Sequence, residues 1–573
     1  MSRFTSPKIL KVEIEMMKNI YWIFLILLIP LCYQCKQKPN KANSTENGND
    51  ANRKNAQHTA AEVFIDSTQI RKYLQTYRER QELTKGIQEF YKSRGNKVAW
   101  TSTNGPIPHV ELFINRLQHA DADGLRPKDY RIDELRKMYN AVKNGGSEQE
   151  IAEMDLLLTT EFSRYAAQLN SGITRHEKEE TGWLVKIPPT RYDSLLNVVL
   201  ADGSKDPFVK VEPDHPEYAR LKSILHSYKS FAAKGGWPTL TGIKKLKIGD
   251  TSDQVLKLRE RLTMTGEFRV GGANFYNPKV FDKYLDIAVK EFQTSHGLDP
   301  DGIVAGKTLE ALNKPVSERI KQMNVNLERW RLMPKKFSGK YFLVNVPEFK
   351  LHVYDADKES FSMRVVVGKE FNATPVFNDR IEYIVFSPYW NVPKSIAIEE
   401  ILPALEKNPA FLSKMNMEVV KGWDPKKVTI VSAHQVPWYN IKNDDFDYWI
   451  RQKPGKDNPL GLVKFIFPNN HNVYLHDTPF DQLFNKVRRD YSHGCIRVSD
   501  PMRVAQFLLK DKPEWTEERI KKAMNAGKEE YVNVPKVPVY ILYFTTWVDD
   551  DGKLHVRDDI YGLDKTLAAR LGV

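Results

Sequence analysis

The sequence predicts a multidomain α+β protein: a helical body, then a small three-helix module, then a β-rich C-terminal domain that carries a mixed insertion. Three observations predict it. From about residue 61 to 238, apolar residues recur at three- and four-residue steps, the spacing of amphipathic helices. Between residues 246 and 313, three short apolar stripes are separated by glycine turns. Beyond residue 341 the alternation changes to period two, as half-buried strands require. With 573 residues and 41% hydrophobic content, the chain is long enough for about three or four cores.

Taken in order, the chain opens with Lys18 and an apolar run from Ile20 to Leu31. That run is short for a bilayer span and reads as the core of a secretory signal, with Met16 or Met17 as its natural start. Residues 36–60 are rich in Asn, Lys and Gln, with almost nothing apolar, and are expected to be a disordered tether. The helical body is carried by Ile87, Phe90 and Tyr91, by Val110, Leu112, Phe113 and Leu117, and by Leu156 to Leu158 with Phe162, Tyr165 and Leu169. Gly95-Asn96, Asp123-Gly124 with Pro127, and Ser171-Gly172 break it. It holds no titratable cluster that calls for chemistry, so its expected role is support. In the module, Val255, Leu258 and Leu262, then Ala288, Val289 and Phe292, then Leu309 and Leu312 form the stripes. A connecting helix is expected around Ile320 to Trp330. Strands follow at 341–346, 351–354, 361–367, 381–386, 463–467 and 473–475, with a mixed insertion at 395–454 that includes a polar turn at Asn443-Asp444-Asp445.

A net charge of +13 fits either an anionic neighbourhood or a lysine-rich solvated surface. No basic run is interleaved with aromatics, which argues against nucleic acid as a partner. The three cysteines are Cys32, Cys35 and Cys495, so the folded body has no internal disulfide. Cys495 sits in Tyr491-Ser492-His493-Gly494-Cys495-Ile496-Arg497, and His476 ends an apolar run at Tyr474-Leu475-His476-Asp477. Imidazole can lower a thiol's pKa or remove its proton, and a small neighbour lets a carbonyl reach backbone amides that hold an oxyanion. A lone cysteine is otherwise a small buried hydrophobe, and a His-Gly pair a turn. No cluster has zinc-ligand spacing and no glycine loop would cradle phosphate, so neither metal nor cofactor is expected.

At these residues the chain resembles a known family. Ser492-His493-Gly494-Cys495-Ile496-Arg497, with His476 and Asp477 upstream, is similar to the signature of the YkuD-type L,D-transpeptidases. Phe90-Tyr91, Asp123-Gly124-Leu125, Asp129-Tyr130 and Asp155 to Leu158 resemble the helical scaffold of the large multidomain members. So do Glu328-Arg329-Trp330, Thr374-Pro375, Pro388 to Pro393, Gly461 to Phe465 and Asp558 to Gly562 in the catalytic part. Gly249-Asp250, the run 288–293, and Gly297-Leu298 with Asp301 to Val304 look like a peptidoglycan-binding module, interrupted by an insertion from Phe268 to Tyr284. The residue patterns give a leader at 1–35 and a tether at 36–60, and the resemblance implies a scaffold domain at 61–238 and a peptidoglycan-binding-like domain at 246–313. A connecting helix at 314–340 and a catalytic domain at 341–565, with a cap insertion at 395–454, complete the layout. Leu31-Cys32-Tyr33-Gln34-Cys35 resembles a lipobox with Gln34 out of pattern, so Cys35 is a lipidation candidate beside an ordinary cleaved signal or an anchor. Each implies an exported, periplasmic protein, tethered to the membrane in the lipidated and anchored readings.

By the same resemblance, Cys495 attacks the third residue of a peptidoglycan stem peptide and His476 is its base, oriented by the backbone carbonyl of Asp477. The amides of Gly494 and Cys495 hold the oxyanion. Arg497 anchors the loop or meets a substrate carboxylate, while Ser492 and His493 shape the turn or touch substrate. Tyr474, Trp390 and Asn391 are candidate cleft residues, with a core role open for Trp390. The implied activity is an L,D-transpeptidase that forms 3→3 cross-links. A carboxypeptidase, an enzyme attaching another amine or protein to the stem, and a non-catalytic wall-binding scaffold are the alternatives.

Overall fold

The structure is a computed structural model that describes residues 63–573 apart from 78–79, 103, 188–189, 270–276, 409, 423–426 and 443–445. The leader with Cys35, the tether and the Asn443-Asp444-Asp445 turn lie outside the described residues. No described helix is long and apolar enough to cross a membrane.

The helical body forms around the helix Glu148–Ser171. Ser147 and Glu150 make a reciprocal capping box at its start, so two otherwise orphaned amides are satisfied. Leu156, Leu157 and Leu158 are all buried although they point in different directions, which marks a helix enclosed on every side. Its buried Asp155 accepts the amides of Ala99 and Trp100 at 2.7 and 2.8 Å and the Tyr91 hydroxyl at 2.8 Å. Burial raises that carboxyl to about 6 against these three donors. Leu112, expected in an apolar stripe, lies on the outer flank of Pro108–Gln118 and is exposed.

The connecting helix runs Val316–Arg331 and is the axle between body and C-terminal domain. Glu328 accepts the Thr174 amide and hydroxyl at 2.8 and 3.0 Å and pairs with Arg331, while Arg329 reaches Asp564 at 2.6 Å. Gly172 ends the long helix at φ +81, and any Cβ there would strike Leu332 and Glu328. The module packs helices Asp253–Thr265, Lys283–Ser295 and Gly306–Asn313 on their own apolar core. The described part of the 268–284 insertion adds Phe268 and Phe281 to that core.

The C-terminal domain is a sheet that closes on itself. We number its strands β1 (Tyr341–Asn345), β2 (Lys350–Asp355), β3 (Lys358–Gly368), β4 (Phe377–Phe386), β5 (Val463–Ile466), β6 (Leu475–His476), β7 (Asp490–Ser492), β8 (Ile496–Val498) and β9 (Glu530–Leu542). The order is β7-β3-β8-β6-β5-β4-β9-β1-β2, and β2 also pairs with β3. Closure removes the exposed edges that an open sheet would present. Its interior is continuous with the core of the helical body. The insertion has its own four-stranded sheet and a separate apolar core. That sheet begins at Trp390–Asn391, ahead of the expected start at 395, because those residues pair with Gln452 and Arg451. Cys495 leads into β8, and the helix Pro501–Leu508 follows it.

Candidate active site

Strand β6 has two residues, yet it determines the site. It pairs antiparallel with β5 and parallel with β8, so Lys464, His476 and Arg497 occupy one rung across three adjacent strands. Residues opposite each other on a rung share a face, with Cβ atoms about 5 Å apart. His476 is 4% exposed, and its Nδ1 lies 2.5 Å from the carbonyl oxygen of Asp477. A carbonyl only accepts, so Nδ1 carries the proton and Nε2 keeps a basic lone pair. The Asp477 carboxylate turns away and accepts the Leu462 amide at 2.8 Å. Gly461, at φ +59, makes that possible, since a Cβ there would collide with the carboxylate.

Cys495 lies on the turn between β7 and β8, which is fastened at several points. The Ser492 hydroxyl donates to the Cys495 carbonyl at 2.5 Å and accepts the Gly494 amide at 3.1 Å. The Thr374 hydroxyl donates to the Gly494 carbonyl at 2.8 Å and accepts the Gly368 amide at 2.9 Å. Tyr561 backs this up, accepting the Thr374 amide at 3.3 Å and donating to the Gly368 carbonyl at 2.5 Å. The half-buried thiol donates to the Asn472 carbonyl at 3.5 Å. Among the described residues no hydrogen bond joins it to the His476 ring. Such bonds are often long or unformed in an enzyme without substrate.

Burial drives both groups toward their neutral forms. It pushes the Cys495 thiol up, opposed by Tyr474, Arg497 and Lys464. It pushes His476 down to about 3, helped by Arg497 and Lys464 and opposed by the Asp477 carbonyl. The resting site is therefore a thiol beside a neutral base, with two cations close by. Among the described residues no group of three or more His, Cys, Asp or Glu side chains could hold a metal ion.

Residues 339–541, which hold this whole rung and turn, match the family described as "L,D-transpeptidase catalytic domain". The chain carries a YkuD L,D-transpeptidase catalytic domain. Residues 85–225 match "Scaffold domain", and residues 251–312 match "Putative peptidoglycan binding domain". A Haemophilus influenzae protein named "Putative L,D-transpeptidase" is 32% identical over 247 residues, 43% of this chain and 48% of that protein. The chain thus spans about half the length of this curated relative. Among solved structures, an L,D-transpeptidase from Xylanimonas cellulosilytica is 14% identical with a TM-score of 0.16, over 52% of this chain and 98% of that one. A fused Zn-dependent amidase/peptidase/peptidoglycan-binding protein from Clostridium acetobutylicum is 12% identical with a TM-score of 0.14, over 52% and 99%. At those scores neither likeness bears on the fold.

Within the L,D-transpeptidase domain, the residues expected at the site take different places. Gly494, expected as an oxyanion donor, has its amide engaged by Ser492 because φ +114 folds the turn back on itself. The Cys495 amide has no acceptor among the described hydrogen bonds. Ser492 is buried, and its hydroxyl is engaged within the turn by the Cys495 carbonyl and the Gly494 amide. His493 faces outward and meets Glu400 of the insertion at 3.0 Å, on the π-helical turn Ala397–Ile401. Trp390 packs against the insertion's core and Asn391 is exposed on its edge strand. Tyr474 sits edge-on to the His476 ring, 5.7 Å between centroids, and reaches the Cys495 thiol. The residues missed from sequence are Lys464, Thr374, Asn472 and Glu400. Lys464 and Thr374 fell inside family-like stretches, but no spacing rule carries residue 374 to residue 494.

Proposed function

We propose that this chain is an L,D-transpeptidase that joins peptidoglycan stems by 3→3 cross-links through a thioester on Cys495. The observation that carries the reading is the His476 ring, held with Nε2 basic on the rung beside the Cys495 turn. His476 Nε2 takes the thiol proton as sulfur bonds to the carbonyl carbon of the third stem residue. The negative charge that gathers on the carbonyl oxygen faces the Cys495 amide and the two nearby cations, Arg497 and Lys464. The tetrahedral adduct collapses, the carbon–nitrogen bond breaks, and His476 returns its proton to the departing D-alanine amine. The side-chain amine of a second stem's diamino acid then attacks the thioester, loses a proton to His476, and leaves a new amide and a free thiol. Asp477 orients the base and Tyr474 closes one side of the thiol.

The insertion covers the cleft as a cap, and the helical body and three-helix module support the enzyme, the latter with possession of a glycan-binding role as part of the same proposal. Such chemistry takes place outside the cytoplasmic membrane, with Cys35 as the proposed lipid attachment point. The test is incubation of purified protein with disaccharide-tetrapeptide, with Cys495→Ala in parallel and products read by mass spectrometry. A dimer lacking one D-alanine, absent with the variant, is the expected result. Tripeptide monomer alone would make the enzyme a carboxypeptidase, and unchanged substrate in both would refute the reading.

A further inference from the structure

The two cations that flank His476 have no acidic partner. Among the described residues neither the Lys464 nor the Arg497 side chain forms an ion pair or hydrogen bond, and the buried Nε of Arg497 has no acceptor. The Arg497 guanidinium lies only over the Phe480 ring, 5.6 Å from its centroid. Glu529 is the one acid that acts on Lys464, yet its two oxygens accept the Tyr389 amide at 2.8 Å and the Tyr531 hydroxyl at 2.9 Å. A cation drawn out of water without a partner is destabilising, and burial already lowers the pKa of both side chains. No described carboxylate pairs with either of them on the rung. A ligand with two anionic groups would.

Resting on the transpeptidase reading, we propose that Lys464 and Arg497 are paired carboxylate anchors on either side of the base, and that Lys464 recognises a carboxylate on the side chain of the donor's third residue. Arg497 lies two residues beyond Cys495, on the strand that continues from its turn, whereas Lys464 stands on β5, on the far side of β6, so Arg497 is the cation nearer the thiol. The carboxylate of the departing residue lies within a few bonds of the reacting carbonyl, whereas a side-chain carboxylate lies at the end of a longer arm. Near cation therefore takes near carboxylate, and Lys464 takes the far one. Because β5 fixes Lys464 opposite His476, the same strand pairing that holds the base also gauges the length of the donor's side chain.

The test uses the full chain carrying Cys495→Ala, which binds donor without turnover, and calorimetric titration with two tetrapeptides. One has a free carboxylate on its third side chain, and in the other that carboxylate is amidated. Amidation should weaken binding about tenfold or more, the scale of a lost charge-assisted hydrogen bond. With Lys464→Met added the two donors should bind within about twofold of each other, and Lys464→Arg should restore the preference. Equal affinities on the Cys495→Ala protein overturn the proposal, whether or not the Lys464 variants fold. So do undetectable binding of both donors and an equal loss for both donors in Lys464→Met. Failure of the transpeptidase reading is seen separately, in the product assay.

Discussion

The alkylation rate of Cys495 as a function of pH separates two possible resting states. Iodoacetamide reacts with thiolate, so its rate follows the ionised fraction. Burial raises this thiol above an ordinary 9.0 even with Arg497 and Lys464 nearby. At pH 7.5 a thiol of that pKa is about 3% ionised, so the rate should be no more than about one-thirtieth of its limit. It should climb nearly tenfold per pH unit up to about pH 8. A thiolate–imidazolium pair would instead hold a plateau from roughly pH 4 upward. The neighbouring cations supply an internal control: Arg497→Met and Lys464→Met should each slow alkylation at pH 7.5, because each removes a charge that favours the thiolate. A plateau between pH 5 and 8, or faster alkylation in either variant, would refute the assignment of a neutral resting pair.

Two further outcomes follow from the same contacts. His476 stays neutral in the fold down to about 3, whereas the unfolded imidazole protonates near 6.5. The unfolded state therefore binds the extra proton, and stability falls as pH drops from 6.5 toward 3 by about 1.4 kcal/mol per unit. His476→Gln should lack this component, read as a shallower fall in the urea midpoint of the C-terminal domain between pH 7 and 5; parallel curves would refute it. Thr374→Val removes the donor to the Gly494 carbonyl and the acceptor for the Gly368 amide, at a cost of about 1–3 kcal/mol. It should also slow acylation of Cys495, with Thr374→Ser restoring both, and acylation at the parent rate in Thr374→Val would count against a positioning role.

The fold class was legible because period carries it: the stripes through Ile87, Phe90 and Tyr91 and through Val255, Leu258 and Leu262 are helices, and the alternation after residue 341 is a sheet. One long strand, β9, was not. Pro535 and Pro538 and the polar residues around them erase its alternation, and the structure accommodates them with a register shift between Asn533 and Val537. Trp390 could not be assigned to cleft or core from sequence, since only its pairing with Gln452 puts it in the insertion. The nucleophile and base were legible because their chemistry is local to short motifs. What surrounds them comes from pairing between strands distant in sequence, as the contact of Thr374 with Gly494 illustrates.

Register is the deeper reason. A slip of one residue along β6 would exchange Leu475 for His476, turning the base into the core and an apolar side chain toward Cys495. Two residues cannot specify that choice by their own pattern. The choice is made by neighbours: the Asp477 amide donates to the Val463 carbonyl at 3.0 Å, and the Ile496 amide donates to the Tyr474 carbonyl at 3.1 Å. The Asp477 carboxylate, admitted by Gly461, adds a third tie on the same end. The backbone that sets the register is thus the backbone that fixes the His476 tautomer, through the Asp477 carbonyl. The same pairing places Lys464 and Arg497 beside the base, so the strand contacts that keep the barrel closed also place the charges that act on the thiol.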